Sequence, residues 1–159
     1  MSFLLAIQAC LVVACLFSSV ATQGGKVAET AKVLKPCTNG EATEAIENFA
    51  YDRVHTWNDV YDTYTRFAHC DDGAISEGFS ERIGWLLVHD WKHFSDLNQF
   101  VRLNQNFQAF VVSHIDDMTA FDDWQLVRRN ARHHCPAGAG ELCTTIDKAA
   151  AKLKKEQHP

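Results

Sequence analysis

The sequence predicts an all-α fold, a single compact bundle of six or seven helices with two disulfides. From Thr38 onward, apolar residues recur at intervals of three and four, which is the spacing of one face of an α-helix. No segment of useful length alternates apolar and polar residues as a strand would. Hydroxyl and carboxylate residues three positions apart precede several of the apolar runs, as in a helix-capping box.

The first two predicted helices each begin at such a capping pair. Thr38 with Glu41 opens the first helix, and Thr56 with Asp59 opens the second. The apolar face of the first helix comprises Ala42, Ala45, Ile46 and Phe49. The apolar face of the second comprises Trp57, Val60, Tyr61, Tyr64, Phe67 and Ala68. We expect a turn between the two helices near His55.

A third helix is predicted from about Ala74 to Trp91. Its apolar stripe comprises Ile75, Phe79, Ile83, Leu86, Leu87 and Trp91. Gly78 and Gly84 fall off this stripe, where each weakens the helix by roughly 1 kcal/mol relative to alanine. Because a glycine has no side chain, we expect these two positions to allow a close neighbour on that side of the helix.

The next helical segment is predicted to be interrupted once. Ser95 is placed to cap its start, since a serine side chain accepts a hydrogen bond from a free backbone amide. Asn104 then interrupts the apolar pattern before it resumes in the residues from Phe107 to Ile115. The sequence therefore predicts one helix, or two short ones, in this region.

The last two predicted helices meet at a corner rich in proline and glycine. Thr119 with Asp122 repeats the capping pattern and opens the first of them. Pro136 and Gly138 both disfavour continuation of a helix. A final helix is therefore predicted from about residue 141 to residue 154.

An export leader is predicted at residues 1–21. This stretch has no charged side chain, and its apolar run is too short to span a membrane. It ends in Ser19-Val20-Ala21, a small-x-small cleavage site. Lipidation at Cys15 and an uncleaved anchor are the alternatives. We predict a flexible lead-in at residues 22–36, a helical domain at residues 37–159, and a periplasmic or extracellular location.

Leader cleavage would leave four of the six cysteines, an even number that predicts two disulfides in an exported protein. Four cysteines allow three pairings. One continuous helix between Cys37 and Cys70 would hold them about 45 Å apart, whereas bridged Cα atoms lie within roughly 7 Å. A turn near His55 brings them together, so we expect a Cys37–Cys70 disulfide that clamps an antiparallel helix pair. Cys135–Cys143 would then close the last corner.

The charge distribution argues against nucleic acid as a partner. The formal net charge is −5, whereas nucleic-acid-binding surfaces carry dense lysine and arginine. The one basic cluster, Lys152, Lys154 and Lys155, fits a helix end, where cations meet the negative end of the helix dipole. No second long apolar stretch follows the leader, so we expect no membrane association after cleavage. We also expect no bound cofactor, and nothing in the sequence specifies the oligomeric state.

The eight histidines raise the question of a metal site. His89 and His93 have the spacing that places two zinc ligands on one helix face, as in the His-Glu-x-x-His motif of metalloproteases. Asp90 replaces the glutamate and is one methylene shorter, and no third ligand follows at the expected spacing. We therefore favour histidines outside the core, with Asp90 as a buried or helix-terminal acceptor. A zinc site at His89 and His93 stays as the alternative.

Acidic residues and one tryptophan are the predicted partner-binding residues. Asp116, Asp117, Asp122 and Asp123 flank a predicted helix start, where they can serve as caps and also form an acidic rim for a basic partner. Trp85 lies off the apolar stripe of its helix, so we expect an exposed anchor or a plug between helices.

Three motifs carry a resemblance to known proteins: Tyr64-x-x-Phe67-x-x-Cys70-Asp71-Asp72-Gly73-Ala74-Ile75-x-Glu77-Gly78, Cys135-Pro136-Ala137-Gly138 and Leu142-Cys143. In these motifs the chain resembles a group of small exported bacterial proteins without assigned function. In general type it is similar to the Rap/Tai immunity proteins of type VI secretion. Those proteins are small, helical, periplasmic and cysteine-stapled, and they block peptidoglycan amidases by occluding the active site. The similarity is one of class and implies a helical inhibitor.

We expect an exported, non-enzymatic helical domain that binds another protein, such as an immunity or inhibitor protein of an envelope-acting toxin or hydrolase. The sequence contains no complete catalytic set. The run around Ser76 resembles a nucleophile elbow, but that motif needs a preceding strand, and no sheet is predicted. A small zinc-binding protein or metallohydrolase using His89 and His93 is the second expectation. A structural envelope protein without a discrete site is the third.

Overall fold

The computed structural model describes residues 35–119 and 121–157. Outside the described residues lie the predicted leader, the predicted lead-in as far as residue 34, and the side chains of Lys154 and Lys155. Residue 120, on which the expected cap at Thr119 and Asp122 depends, also lies outside them. Within the described part, the secondary structure consists of helices joined by turns and short irregular segments, with no strand.

The described residues form seven α-helices, which confirms the predicted all-α bundle. They are α1 (Asn39–Ala50), α2 (Trp57–Phe67), α3 (Gly73–His89), α4 (Phe94–Leu103), α5 (Gln105–Ser113), α6 (Phe121–His133) and α7 (Gly140–Gln157). Short 3-10 turns, Ala68–Cys70 and Trp91–His93, follow α2 and α3. None of the helices in the described ranges is both long enough and apolar enough to span a membrane.

Capping boxes start α1 and α2, as predicted. Thr38 Oγ1 accepts from the Glu41 amide at 3.3 Å, and the Glu41 carboxylate accepts from the Thr38 amide at 3.1 Å. Thr56 and Asp59 repeat this exchange at 3.2 and 2.9 Å. The chain turns between α1 and α2, with Asp52 in the left-handed region at φ 52°. The predicted turn near His55 is therefore confirmed.

Both predicted disulfides are present. Cys37 and Cys70 join the start of α1 to the end of the 3-10 turn after α2, with Cα atoms 4.9 Å apart. Cys135 and Cys143 close the corner between α6 and α7, with Cα atoms 6.1 Å apart. Asp147 adds a polar link between the same two helices, because it accepts from Arg128 and Arg132 at 3.0 Å each. Two disulfides are compatible with an exported protein.

The core is formed largely by the predicted apolar stripes. Fully buried members include Ala45, Trp57, Val60, Phe67, Ile75, Phe79, Ile83, Leu86, Leu87, Phe107 and Trp124. Around them, aromatic rings pack edge-on or stacked, with Tyr61 4.5 Å from Phe100 and Phe79 4.8 Å from Phe110 between ring centroids. Burial of this apolar and aromatic surface is the main stabilising contribution to the bundle.

Two predicted boundaries around residue 90 were wrong. α3 ends at His89 and not at Trp91, since Asp90 leaves the helical conformation at φ −126° and its carboxylate pairs with His93 Nδ1 at 2.7 Å. The chain then makes a 3-10 turn, so α4 begins at Phe94. Ser95 consequently lies inside α4 and does not cap it.

Gly78 and Gly84, which lie outside the apolar stripe of α3, allow close neighbours, as expected. A Cβ at Gly78 would lie 2.5 Å from Cγ and Cδ2 of Phe49 on α1. A Cβ at Gly84 would lie 2.2 Å from Thr119 Oγ1. Both separations are far below van der Waals contact, so α3 needs glycine at these positions to let α1 and the segment before α6 approach.

We expect Gly78→Ala to lower the free energy of unfolding by about 1–3 kcal/mol in urea denaturation, because an added methyl overpacks the contact with Phe49. Gly40→Ala is the matched control, since nothing lies within 4 Å of a Cβ at that helical position. The control should raise stability by about 0.5–1 kcal/mol through helix propensity. A Gly78→Ala protein as stable as Gly40→Ala would show that the close approach is not required.

Candidate functional site

Two of the five predicted partner-binding residues, Trp85 and Asp123, line a shallow groove between α3, the segment that precedes α6 and the start of α6. The groove has a volume of about 190 Å³ and is lined by Glu81, Gly84, Trp85, Val88, His89, Met118, Thr119 and Asp123. We call it the Trp85 groove. It brings together the tryptophan and Asp123 of the acidic run, which lie in separate segments of the sequence.

Two large apolar side chains remain exposed at the Trp85 groove. Trp85 is 46% exposed and Met118 is 57% exposed, so the expectation of an exposed tryptophan is confirmed. The Trp85 ring stacks on the His89 imidazole, with centroids 5.1 Å apart and planes 21° from parallel. His89 is held in turn by Nδ1, which lies 3.1 Å from the Trp85 carbonyl oxygen. The indole is thus held in place before any partner arrives, which lowers the entropy cost of binding.

Gly84 is the reason that Met118 lies beside Trp85. Thr119 packs directly against the bare backbone of Gly84, which brings the chain before α6 onto the outer side of α3. Met118 is therefore presented next to Trp85 through the contact of the Thr119 side chain with Gly84. A side chain at position 84 would separate them.

Asp116 anchors this segment and is not a free member of the acidic rim. Its carboxylate accepts from Ser80 Oγ at 2.5 Å and from the Met118 amide at 3.0 Å. Its carbonyl accepts from the buried Trp124 Nε1 at 2.9 Å. These bonds fix the segment against α3 and α6, so Asp116 has a structural role as a hydrogen-bond acceptor, and its part in partner binding stays a prediction.

Four other carboxylates give the groove and its surroundings a negative charge. Glu81 and Asp123 line the groove, and Asp117 and Asp122 are exposed next to its lining residues in the sequence. None of the four forms a salt bridge within the described ranges. Among the residues that the structure describes, no lysine or arginine lines the groove. The acidic rim therefore has unneutralised charge beside an exposed indole.

The geometry expected for a zinc site at His89 and His93 is not formed. The two histidines do not share a helix face, because α3 ends at His89 and His93 follows in a 3-10 turn. His89 Nδ1 faces the Trp85 carbonyl and His93 Nδ1 faces Asp90. Asp90 is a helix-terminal acceptor, as in the favoured interpretation of this segment.

A second and larger concavity, which we call the disulfide cleft, lies between α1 and the start of α3. Its volume is about 460 Å³, and its lining includes Cys37, Thr38, Asn39, Ala42, Ile46, His69, Cys70, Asp71 and Asp72. Ile46, predicted to lie on the buried face of α1, is instead 42% exposed at this cleft. Thr38 and Asp72 are already occupied as helix caps. We therefore favour the Trp85 groove for partner binding, although the disulfide cleft has the larger volume.

His69, which lines this cleft, forms a polar pair with Glu41 that sequence reasoning missed. Hydrogen bonds from Lys35 and then Thr38 lower the pKa of Glu41 to about 2, so its carboxylate is ionised. Glu41 Oε1 lies 3.4 Å from His69 Nε2, but without hydrogen-bond geometry, so the buried nitrogen has no hydrogen-bond partner among the described residues. The Cys37–Cys70 pairing was the signal that would have placed residue 69 beside residue 41.

A buried histidine lies at the base of α3. His114 is 2% exposed, with Nδ1 2.8 Å from the Phe110 carbonyl and Nε2 3.1 Å from Asp71 Oδ1. Ser76 Oγ lies 3.5 Å from the same Nε2. A hydrolytic triad needs serine and aspartate on opposite ring nitrogens, so these residues do not form one. Both nitrogens face acceptors, which favours the doubly protonated imidazolium.

We expect the pKa of His114 to be above its ordinary value in an NMR titration. Burial lowers it, but hydrogen bonds to Asp71 and to the Phe110 carbonyl, with the charges of Asp71 and Asp116, outweigh burial. This stabilisation is fully present below the unfolded-state pKa and is lost as pH rises through the raised folded-state pKa. Asp71→Asn should lower the His114 pKa, whereas an unchanged pKa would show that the pair is not electrostatically coupled.

No protein-family model, curated protein or solved structure matches this chain. The two concavities and the residues that line them are therefore the basis for assigning a function.

Proposed function

We propose that this protein is an exported, protein-binding helical domain that docks its partner in the Trp85 groove. The observation that supports this most is the exposure of Trp85 and Met118 side by side over a rigid support. Tryptophan and methionine are enriched in interface cores, and a contiguous exposed apolar patch is typical of a binding surface. A preorganised indole is also typical of the residues that dominate binding energy.

The charge of the groove specifies the chemistry of the partner. Glu81 and Asp123 line it, and none of the described residues that line it is a lysine or arginine, so a complementary surface carries a basic side chain beside an apolar one. An arginine is the best match, because its guanidinium can stack on the Trp85 ring and bond a carboxylate at the same time. The net charge of −5 acts in the same direction by attracting a basic partner.

Inhibition of an envelope-acting toxin or hydrolase is the biological role that we propose for this binding. The two disulfides suit an oxidising compartment, and an immunity protein acts by occluding a site through surface contact alone. Such a role requires no catalytic residue in this chain. If the recovered partner is a hydrolase, an equimolar amount of this protein should abolish its activity, whereas a Trp85→Ala variant should not.

Site-specific photo-crosslinking tests the proposed binding surface. A photoreactive amino acid at Met118 should capture one partner in cells of the source organism. The matched control carries the same group at Leu103, which is 72% exposed at the end of α4. Capture at residue 103 but not at residue 118 would contradict the proposal. Capture at neither position would favour a structural envelope protein without a discrete site.

A further inference from the structure

Four potential zinc ligands converge around the Cys37–Cys70 disulfide. Glu41, His69 and Cys70 each place a ligand atom within 4.8 Å of those of the other two, and they are the one such group of three in the described ranges. Cys37 is bonded to Cys70, so its sulfur adjoins the same cluster. We propose that, when the Cys37–Cys70 disulfide is reduced, the protein binds one zinc ion through Cys37, Cys70, His69 and Glu41.

This ligand set suits zinc. Two thiolates, an imidazole nitrogen and a carboxylate oxygen are all established zinc ligands, and four of them complete a tetrahedral structural site. Ligand atoms around a tetrahedral zinc ion lie roughly 3.3–3.8 Å apart. Glu41 Oε1 and His69 Nε2 are already 3.4 Å apart, and the other separations, all within 4.8 Å, need to shorten by about 1 Å at most. Cys37 precedes the first residue of α1 and is exposed, so its sulfur can move away from Cys70 without disturbing a helix.

The side chains of His69 and Glu41 are already oriented for this role. His69 Nε2 is buried without a hydrogen-bond partner among the described residues, which a metal ion would supply. Glu41 Oε2 is held by the amide of Thr38 at 3.1 Å and by its hydroxyl at 2.8 Å. Glu41 Oε1 pairs with the exposed Lys35, whose long side chain can swing away. Hydrogen bonds of this kind, outside the ligand shell, orient metal ligands.

Reduction proceeds by thiol–disulfide exchange with a dithiol reductant. One thiolate of the reductant attacks the sulfur of the exposed Cys37 and releases Cys70 as a thiolate. The second reductant thiol then resolves the mixed disulfide, which leaves an oxidised reductant and two cysteine thiols in this protein. Zinc binding releases one proton from each thiol. The ion would then replace the covalent link between the start of α1 and the turn after α2.

Zinc titration of the purified protein in its reduced and oxidised forms tests the proposal. We expect one equivalent of zinc per chain after reduction with a phosphine and removal of the reductant, and none in the disulfide form. Substitution with cobalt should give thiolate-to-metal charge-transfer bands and tetrahedral d–d bands. Zinc that binds the oxidised protein equally well would overturn the proposal, as would a reduced protein that binds none.

Single substitutions test which residues bind the zinc ion. Cys37→Ser should lower zinc affinity by more than about 100-fold and His69→Gln by at least about tenfold, since outer-shell changes alone cost about 10–100-fold. Cys135→Ser is the matched control and should leave affinity unchanged. If zinc affinity instead depends on Cys135, or is the same in His69→Gln as in the wild-type protein, the proposed ligand set is wrong. Circular dichroism follows folding, and zinc should restore any helix lost on reduction in the wild-type protein but not in His69→Gln.

Discussion

Trp85→Ala is expected to weaken the complex with the crosslinked partner by more than about 30-fold, equivalent to about 2 kcal/mol or more. The indole is held by His89 and yet is 46% exposed, so the partner buries a large surface that is already ordered. Removing the ring also removes the stacking surface for a basic side chain beside Glu81 and Asp123. Isothermal titration calorimetry with the purified partner measures the effect.

Leu103→Ala is the control for the tryptophan substitution. Leu103 is more exposed than Trp85 and lies outside the Trp85 groove, so its loss should change affinity by less than about twofold. Thermal unfolding of both variants should confirm that neither loses the fold. An equal loss of affinity in both variants would mean that binding depends on general surface hydrophobicity and not on the groove.

Replacing both Cys37 and Cys70 by serine is expected to lower the free energy of unfolding by about 3.7 kcal/mol on the loop-entropy model. The disulfide closes a loop with a sequence separation of 33, and cross-linking a long loop removes more conformations from the unfolded chain. A loss of this size is a large part of the stability of an ordinary small domain. Urea denaturation at fixed pH measures it.

The Cys135–Cys143 pair provides the comparison within the same chain. Its sequence separation is only 8, so the same model gives about 2.5 kcal/mol for its removal. We therefore expect the longer loop to contribute about 1 kcal/mol more. If the shorter pair proves more stabilising, native-state packing at the α6–α7 corner outweighs loop entropy.

The bundle was predictable because its information is mostly local. Capping residues and apolar stripes each depend on a few neighbouring positions. The one long-range constraint, the distance limit on Cys37 and Cys70, 33 residues apart, required the turn near His55. The differences from prediction arose at side chains whose hydrogen-bond partners cannot be inferred from residue spacing. Asp90 ends α3 by pairing with His93, and Asp116 turns inward because Ser80, 36 residues away, donates to it.

Only some residues of the candidate binding site could be predicted from the sequence. Trp85 was identified because it lies off an otherwise regular stripe, and the acidic residues because they cluster in the sequence. Glu81 lies four residues before Trp85 on α3, so helix periodicity places it there. That Met118 joins them depends on the contact between Thr119 and Gly84, which is a tertiary contact with no periodic signature. The Glu41–His69 pair was missed for a similar reason, since its members lie on segments that only the fold brings together.

Hydrogen–deuterium exchange of the free and partner-bound protein tests the central claim most directly. If the partner docks in the Trp85 groove, amides of residues 81–89 and 116–123 should exchange more slowly in the complex, and those at the end of α4 near Leu103 should not change. Protection confined to the disulfide cleft, or to the end of α4, would contradict the assignment of the Trp85 groove as the binding surface.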